Sequence, residues 1–403
     1  MQKIKKTVAI IGGGPAALML AATLNETFFD ITIYEKNYAP GRKFLVAGDG
    51  GFNLTHSENT EQFVSRYTPQ VFLEKSIRSF TNIDLCNWFK KIGVETYTGT
   101  SKRIFPIKGI KPIDVLNAIL KNLKDKNVKI KTKHEWKGWN TKGELVIEQD
   151  SEESYIKTDI VVFALGGASW PKTGSDGSWI NLFLQKGIEI VPFQASNCAY
   201  QINWDDNFLK QAEGKSLKNI SITCNGVEKK GEIVITKFGI EGGAIYALSP
   251  QIREQLNATK TADIFIDLKP GLSINTIKNK LSLKKNKTLT AILKEELNVS
   301  PIQVALLKSS ISKEDFTDRN LLAENIKKLP IHIIGMESID KAISTVGGVS
   351  LQEIDGLFQL KKLPNQYVIG EMLNWDAPTG GYLLQACFSM GAFLGTHLNK
   401  ESQ

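Results

Sequence analysis

The sequence predicts an α/β protein: a Rossmann-like nucleotide-binding domain whose chain is interrupted by a β-rich segment and a small helical cap. Three observations predict it. The fully apolar run Val8-Ala9-Ile10-Ile11 suits a parallel strand buried on both faces. It leads into Gly12-Gly13-Gly14-Pro15-Ala16-Ala17, which fits G-x-G-x-x-G/A. A second strand, Ile31-Thr32-Ile33-Tyr34, ends in the acid Glu35, about 20 residues beyond the middle glycine. A third apolar strand, Ile160-Val161-Val162-Phe163, runs into Ala164-Leu165-Gly166-Gly167.

Each part of this pattern has a physical purpose. Gly12 permits a tight turn, Gly14 lets the backbone approach a pyrophosphate, and Ala17 keeps the next helix close to the strand. That helix turns unpaired N–H groups and a positive dipole end towards the phosphates. Glu35 is placed to accept ribose hydroxyls and to repel a 2′-phosphate.

Further along, Ile83 to Ile92 reads as an amphipathic helix with Thr81 or Asn82 as N-cap and Gly93 as its stop. Ile113 to Leu123 is a second helix, and Val128-Lys129-Ile130 a short strand. Lys142 to Glu153 reads as a hairpin. From about Val191 to Ile266 the texture changes to short strands such as Glu232-Ile233-Val234-Ile235-Thr236, and Ile274 to Leu329 is helical and Lys-rich. Lys237-Phe238-Gly239-Ile240-Glu241-Gly242-Gly243 reads as a structural turn, because its glycine spacing fits no nucleotide loop. Tyr367-Val368-Ile369-Gly370-Glu371 is a strand, a glycine and an acid, followed by Thr379-Gly380-Gly381-Tyr382 and an apolar helix from Leu383 to Leu394. The expected domains are residues 1–190 with 331–403, 191–270 as a β-rich insert, and 271–330 as a helical cap.

Composition narrows the function classes. The chain has 403 residues, 42% hydrophobic and 23% charged, which are ordinary globular values. Its net charge of +8 comes from scattered lysines that read as solvated faces, so no nucleic-acid partner is expected. Four separated cysteines form neither a C-x-x-C motif nor a disulfide framework, as in a reduced cytoplasmic protein. Together with the four histidines they show no metal-ligand spacing. Glycines interrupt the one apolar N-terminal stretch, so neither a signal peptide nor a membrane span is expected. Nothing in the sequence signals a particular oligomeric state.

Glu35-Lys36 is followed by Pro40-Gly41-Arg42-Lys43 and by Ala47-Gly48-Asp49-Gly50-Gly51-Phe52-Asn53-Leu54-Thr55. This basic, glycine-rich stretch resembles the Gly-Arg element of glutathione-reductase-like flavoproteins. The segments Leu165 to Gly177, Gly231 to Gly243, Ser344 to Ser350 and Gly370 to Gln385 extend the likeness. In order and spacing they resemble a bacterial flavoprotein family that includes aminoacetone oxidases and flavin-dependent bile-acid dehydroxylation reductases. Trp375-Asp376-Ala377-Pro378-Thr379-Gly380-Gly381-Tyr382-Leu383-Leu384-Gln385 looks like a separate branch of it. One departure is Gly51-Phe52-Asn53, where many relatives carry Gly-Arg-Cys-Asn.

The resemblance implies non-covalently bound FAD and an oxidoreductase acting on a small organic molecule. It implies contacts to the cofactor from Gly12, Gly13, Gly14, Pro15, Ala16, Ala17, Glu35, Lys36, Gly41, Arg42, Lys43, Asn53, Leu54 and Thr55, with Val128 and Ile130 beside the adenine. It also implies Ala164, Leu165, Gly166, Gly167, Thr173, Gly347, Gly348, Gly370, Glu371, Gly380, Gly381, Tyr382 and Leu384. Trp170, Lys172, Trp375, Asp376 and Tyr382 are candidates to line a substrate pocket, and His56 is a candidate acid or base. No second G-x-G-x-x-G unit follows, so NAD(P)H is expected only as a transient electron donor. An RNA-modifying flavoprotein and a non-enzymatic flavin-binding protein are the alternatives to a small-molecule enzyme.

Overall fold

A computed structural model describes residues 4–46, 52–283 and 287–403. The glycine-rich stretch Ala47 to Gly51 and the lysines at 284 and 285 lie outside the described residues. The chain divides into two compact units, Met1–Gln194 with Ser344–Gln403, and Ala195–Ile343.

The first unit is built on five parallel strands: β1 (Lys6–Ile11), β2 (Phe29–Glu35), β3 (Lys129–Thr132), β4 (Ile160–Phe163) and β5 (Gln366–Val368), in the order β5-β4-β1-β2-β3. Ile10 is in register with Ile33 on one side and Val162 on the other, and all three are fully buried. Burial on both faces is why these strands read as continuous apolar runs. Helix α1 (Pro15–Thr23) leaves β1 through a proline in its first turn, which suits a position whose N–H has no helical partner. Helix α2 (Pro112–Asp125) packs on α1, as does the long helix α3 (Tyr382–Glu401). Glycines bring α1 and α3 together: a Cβ at Gly391 would lie 2.4 Å from the carbonyl oxygen of Ala16, and one at Gly395 2.8 Å from Thr23 Cβ. The helix Asn82–Lys91 is closed at its start by a capping box between Thr81 and Asp84.

The second unit holds a seven-stranded antiparallel sheet, ordered Leu329–Ile333, Ala262–Asp267, Ser216–Cys224, Val227–Thr236, Gly239–Glu241, Tyr200–Gln201 and Gly335–Met336. Its helices share one apolar core with that sheet, Ile277, Leu281, Ile292, Leu322 and Ile326 clustering with Ile222, Ile264 and Ile331. The β-rich segment and the helical cap therefore form one unit rather than two. The sequence alone predicts a return to the first unit at 331. The chain instead stays until Ile343, because Leu329–Ile333 pairs with Ala262–Ile266 and Gly335–Met336 pairs with Tyr200–Gln201.

Candidate functional site

A cavity of about 380 Å³ opens at the carboxyl edge of the parallel sheet, entirely within the first unit. The ends of β1, β2, β4 and β5 all reach it, through Ile11-Gly12, Tyr34-Glu35, Ala164-Leu165-Gly166 and Gly370-Glu371. Gly12 has φ +102°, and a Cβ there would sit 2.4 Å from the Ala164 carbonyl oxygen, so only glycine fits this turn. A Cβ at Gly13 would lie 2.7 Å from Pro40 Cβ, whereas at Gly14 nothing lies within 4 Å. Gly14 caps α1 without a side chain, which leaves the helix's first N–H groups to a ligand.

Charged side chains are held at fixed points around this loop. Glu35, 8% exposed, accepts the Gly13 N–H at 2.8 Å, the Asn37 N–H at 2.8 Å and the Asn37 amide at 2.7 Å. Lys43 Nζ donates to Glu371 at 2.7 Å and to Ser169 Oγ at 2.8 Å, and the other Glu371 oxygen accepts the Thr345 N–H. Lys36 Nζ donates to Asp176 at 2.8 Å, joining the end of β2 to the loop after β4. Burial alone would raise the Asp176 pKa, but the bonds from Lys36 and Ser178 outweigh it and hold the carboxyl below the usual range. Burial pushes the Cys387 thiol up to about 12, so it is a poor nucleophile.

Two further cavity-lining residues, Trp136 and Ser175, are each 6% exposed. The indole Nε1 of Trp136 and Oγ of Ser175 are buried and have no hydrogen-bond partner. The bare glycine turn, the open helix N-terminus and the acid at the end of β2 together fit a dinucleotide.

Of the residues singled out from sequence, Gly12 to Ala16, Glu35, Lys36, Gly41, Arg42, Lys43, Ala164, Leu165, Gly166, Thr173, Gly370 and Glu371 line the cavity. Ala17 is buried beneath it. Val128 and Ile130 do not line it. Ile130 pairs with Ile33 in the sheet, and the chain reaches the cavity only beyond the turn at Lys133, with His134, Glu135, Trp136 and Lys137. Gly347 and Gly348 press on the backbones of Pro192 and Met372, and Gly167 on Thr345, so their smallness serves packing. Trp170 and Lys172 lie outside on an exposed turn. Trp375, 2% exposed, donates its indole N–H to the Gly370 carbonyl and belongs to the core, and Asp376 beside it pairs by backbone with Thr68. Ser175 and Asp176 line the cavity from the Leu165 to Gly177 segment, and Trp136, Trp179 and Cys387 line it without a local motif that marks them.

Asn53, Leu54, Thr55, Gly380, Gly381, Tyr382 and Leu384 gather instead around the first turn of α3. Thr55 donates to Gln385 at 2.7 Å, and a Cβ at Gly381 would meet the Thr55 backbone at 2.6 Å. Tyr382 donates its hydroxyl to Glu58 at 2.9 Å, Arg66 donates to both Glu58 oxygens, and Tyr67 donates to the Tyr382 carbonyl. His56 stacks on Tyr382 with ring centroids 5.2 Å apart, and its Nδ1 accepts the Glu58 N–H. Burial, with Arg66 and Arg103 nearby, holds the His56 pKa below its ordinary value despite Glu58. Among the described residues no group of three His, Cys, Asp or Glu could hold a metal, and no helix is long and apolar enough to cross a membrane.

Comparisons with known proteins agree with this geometry. A family model described as "HI0933-like protein Rossmann domain" matches residues 6–397. A Haemophilus influenzae protein named ribosomal RNA dihydrouridine synthase is 26% identical, over 94% of this chain and 95% of its own. A Clostridium scindens protein named 3-dehydro-bile acid delta(4,6)-reductase is 24% identical, over 96% and 98%. Among solved structures, the 3-ketosteroid-delta4-(5alpha)-dehydrogenase of Rhodococcus jostii is similar in fold, with a TM-score of 0.52 at 12% identity, over 100% of this chain and 98% of its own.

Proposed function

The chain belongs to the HI0933-like family and is an FAD-dependent oxidoreductase, and from that premise we propose that it saturates a carbon–carbon double bond conjugated to a carbonyl. One observation carries this reading. Two relatives that match nearly end to end bear names denoting the same bond change, the loss of the C5=C6 bond of uridine and of the 4,6-diene beside a 3-oxo group. When bound, reduced FAD supplies a hydride from N5, which together with one proton saturates such a bond, and NAD(P)H docking transiently restores the reduced form.

The chain's own residues would hold the cofactor non-covalently. The Gly12 to Pro15 loop and the first turn of α1 receive the pyrophosphate, and Glu35 the adenosine ribose. Lys43 and Glu371 meet the other end. The Tyr382 hydroxyl is committed to Glu58, which with burial pushes its pKa far up, so it is not the proton source.

The small-molecule reading is preferred, since scattered lysines give no nucleic-acid footprint. A second reading puts the same bond in a uracil of RNA, and the name of the Haemophilus relative favours it. Anaerobic photoreduction, followed by a 3-oxo-4-ene steroid, cyclohexenone or a ribosomal RNA transcript, separates the two. Oxygen-free reoxidation by the free enones supports the first reading, and reoxidation by the transcript alone the second. Reoxidation by none of them removes both.

A further inference from the structure

Two contacts tie the end of β2 to the loop that follows β4. In the first, Lys36 Nζ donates to Asp176 Oδ2 at 2.8 Å. In the second, Asn37 packs on Gly174, where a Cβ would lie 2.4 Å from Asn37 Nδ2 and 3.4 Å from Lys36 Cε. Gly174 has φ +102°, so backbone and contact both demand glycine there. Asn37 is itself held in place, its amide donating to Glu35 at 2.7 Å and its side-chain oxygen accepting from Arg42 at 2.7 Å. Lys36, Asn37, Gly174 and Asp176 all line the cavity.

The sheet order says what this tie passes over. In the order β5-β4-β1-β2-β3 the strands β2 and β4 flank β1, so a link between their carboxyl ends crosses the end of β1, where the Gly12 turn lies. A dinucleotide with its pyrophosphate at that turn, its ribose at Glu35 and its far end at Glu371 runs along the same edge and crosses the link. The Lys36 and Asp176 side chains keep 26% and 35% of their surface exposed. An ion pair so open to water is weak and readily broken. The loop that carries Asp176 turns through positive φ at Trp170, Gly174 and Gly177, with one short helical turn at Pro171–Thr173.

We infer that the Lys36–Asp176 pair is the clasp of a strap across the cofactor's path, which opens to admit or release the dinucleotide. The clasp joins two parts of the chain and includes no atom of the ligand, so it closes equally over a filled and an empty site and sets the rate of exchange without setting affinity. This rests on the FAD reading given above, and the closing experiment keeps the two separable by using ADP as well as FAD.

Stopped flow on the full chain stripped of flavin compares wild type with Asp176→Asn, which keeps the Oδ1 that accepts the Ser178 N–H and removes the charge that meets Lys36. FAD association and release should both quicken by the same factor, roughly 2- to 5-fold, so that Kd does not move. Added salt gives a second measurement. It screens a pair that only wild type has, so the two release rates should converge as KCl is raised. ADP, followed by the fluorescence of the cavity-lining Trp136 and Trp179, seats its phosphates at the same turn and should quicken alike. A Kd that changes in either direction overturns the inference, because Asp176 would then act on the ligand itself as a contact or a repelling charge. Unchanged rates in the variant, or release rates that do not converge in salt, overturn it as well. A wild type that takes ADP but no flavin, with the same quickening in the variant, refutes the FAD reading and leaves the strap standing. A wild type that takes neither refutes both.

Discussion

The cavity at the sheet edge and the polar cluster at the start of α3 belong to the same unit, and sequence motifs mark both. They treat buried polar atoms in opposite ways. In the cluster, Glu58 is occupied by Arg66 and Tyr382, Gln385 by Thr55, Phe80 and Ser389, and Asn82 by the carbonyls of His56 and Glu58. At the cavity, Trp136 Nε1 and Ser175 Oγ are left unpaired, and the glycines at 12 to 14 keep backbone bare. A fully satisfied network fixes where a helix starts, and a wall of bare glycine backbone leaves room for something the chain does not contain. Glycine and acid motifs alone do not separate these two uses.

The largest expected effect comes from filling the reserved room. Gly13→Val puts a branched carbon where even a Cβ lies within 2.9 Å of Glu35 and Pro40. It should cost about 3 kcal/mol of FAD binding, roughly 100-fold, read as flavin retained per protein after gel filtration. Retention equal to wild type would break the assignment of the cavity to the cofactor. Next, Glu58→Gln weakens a half-buried ion pair and a tyrosine's acceptor. It should lower stability by about 1–3 kcal/mol in urea unfolding and leave flavin content intact. Flavin loss without destabilisation would move the cluster from architecture into the binding site.

The smallest effect concerns His56. Its folded pKa lies below the unfolded value, so the unfolded chain binds the extra proton first. The stability contribution is complete above about pH 6.5 and is lost as pH falls towards the folded pKa. Glu58 adds a separate loss at lower pH. Burial would raise its pKa, but the bonds from Arg66 and Tyr382 outweigh that and hold it below the ordinary carboxylate range. His56→Gln should therefore flatten stability between about pH 7 and 5 and keep the acid limb. An identical profile in the variant would show that His56 does not titrate alone within the cluster.

The glycine turn, Glu35 and the apolar strands were legible because each depends on residues a few positions apart. Apolar runs announce strands buried on both faces, and a missing side chain announces a close approach. Trp136 was not legible. Its neighbour Ile130 carries the same apolar signal, and only the turn at Lys133 decides which of them reaches the cavity. Trp375 failed in the opposite direction. Its motif is conspicuous, but a hydrogen bond to Gly370 turns the indole into the core. The end of the second unit is not legible because Leu329–Ile333 is a short edge strand whose partner residues lie 63 to 71 positions earlier in the chain.

The return of the chain to the first unit has a consequence for biosynthesis. β5 and α3 are translated after all of the second unit, so the ribosome makes α1 long before the helix that covers it. Until then the face of α1 that Gly391 and Gly395 will touch stays open to water or to a chaperone. The second unit, continuous in sequence, is free to fold during elongation. Loading of the cofactor must then wait until the nascent polypeptide has cleared the exit tunnel far enough for Glu371 to meet Lys43.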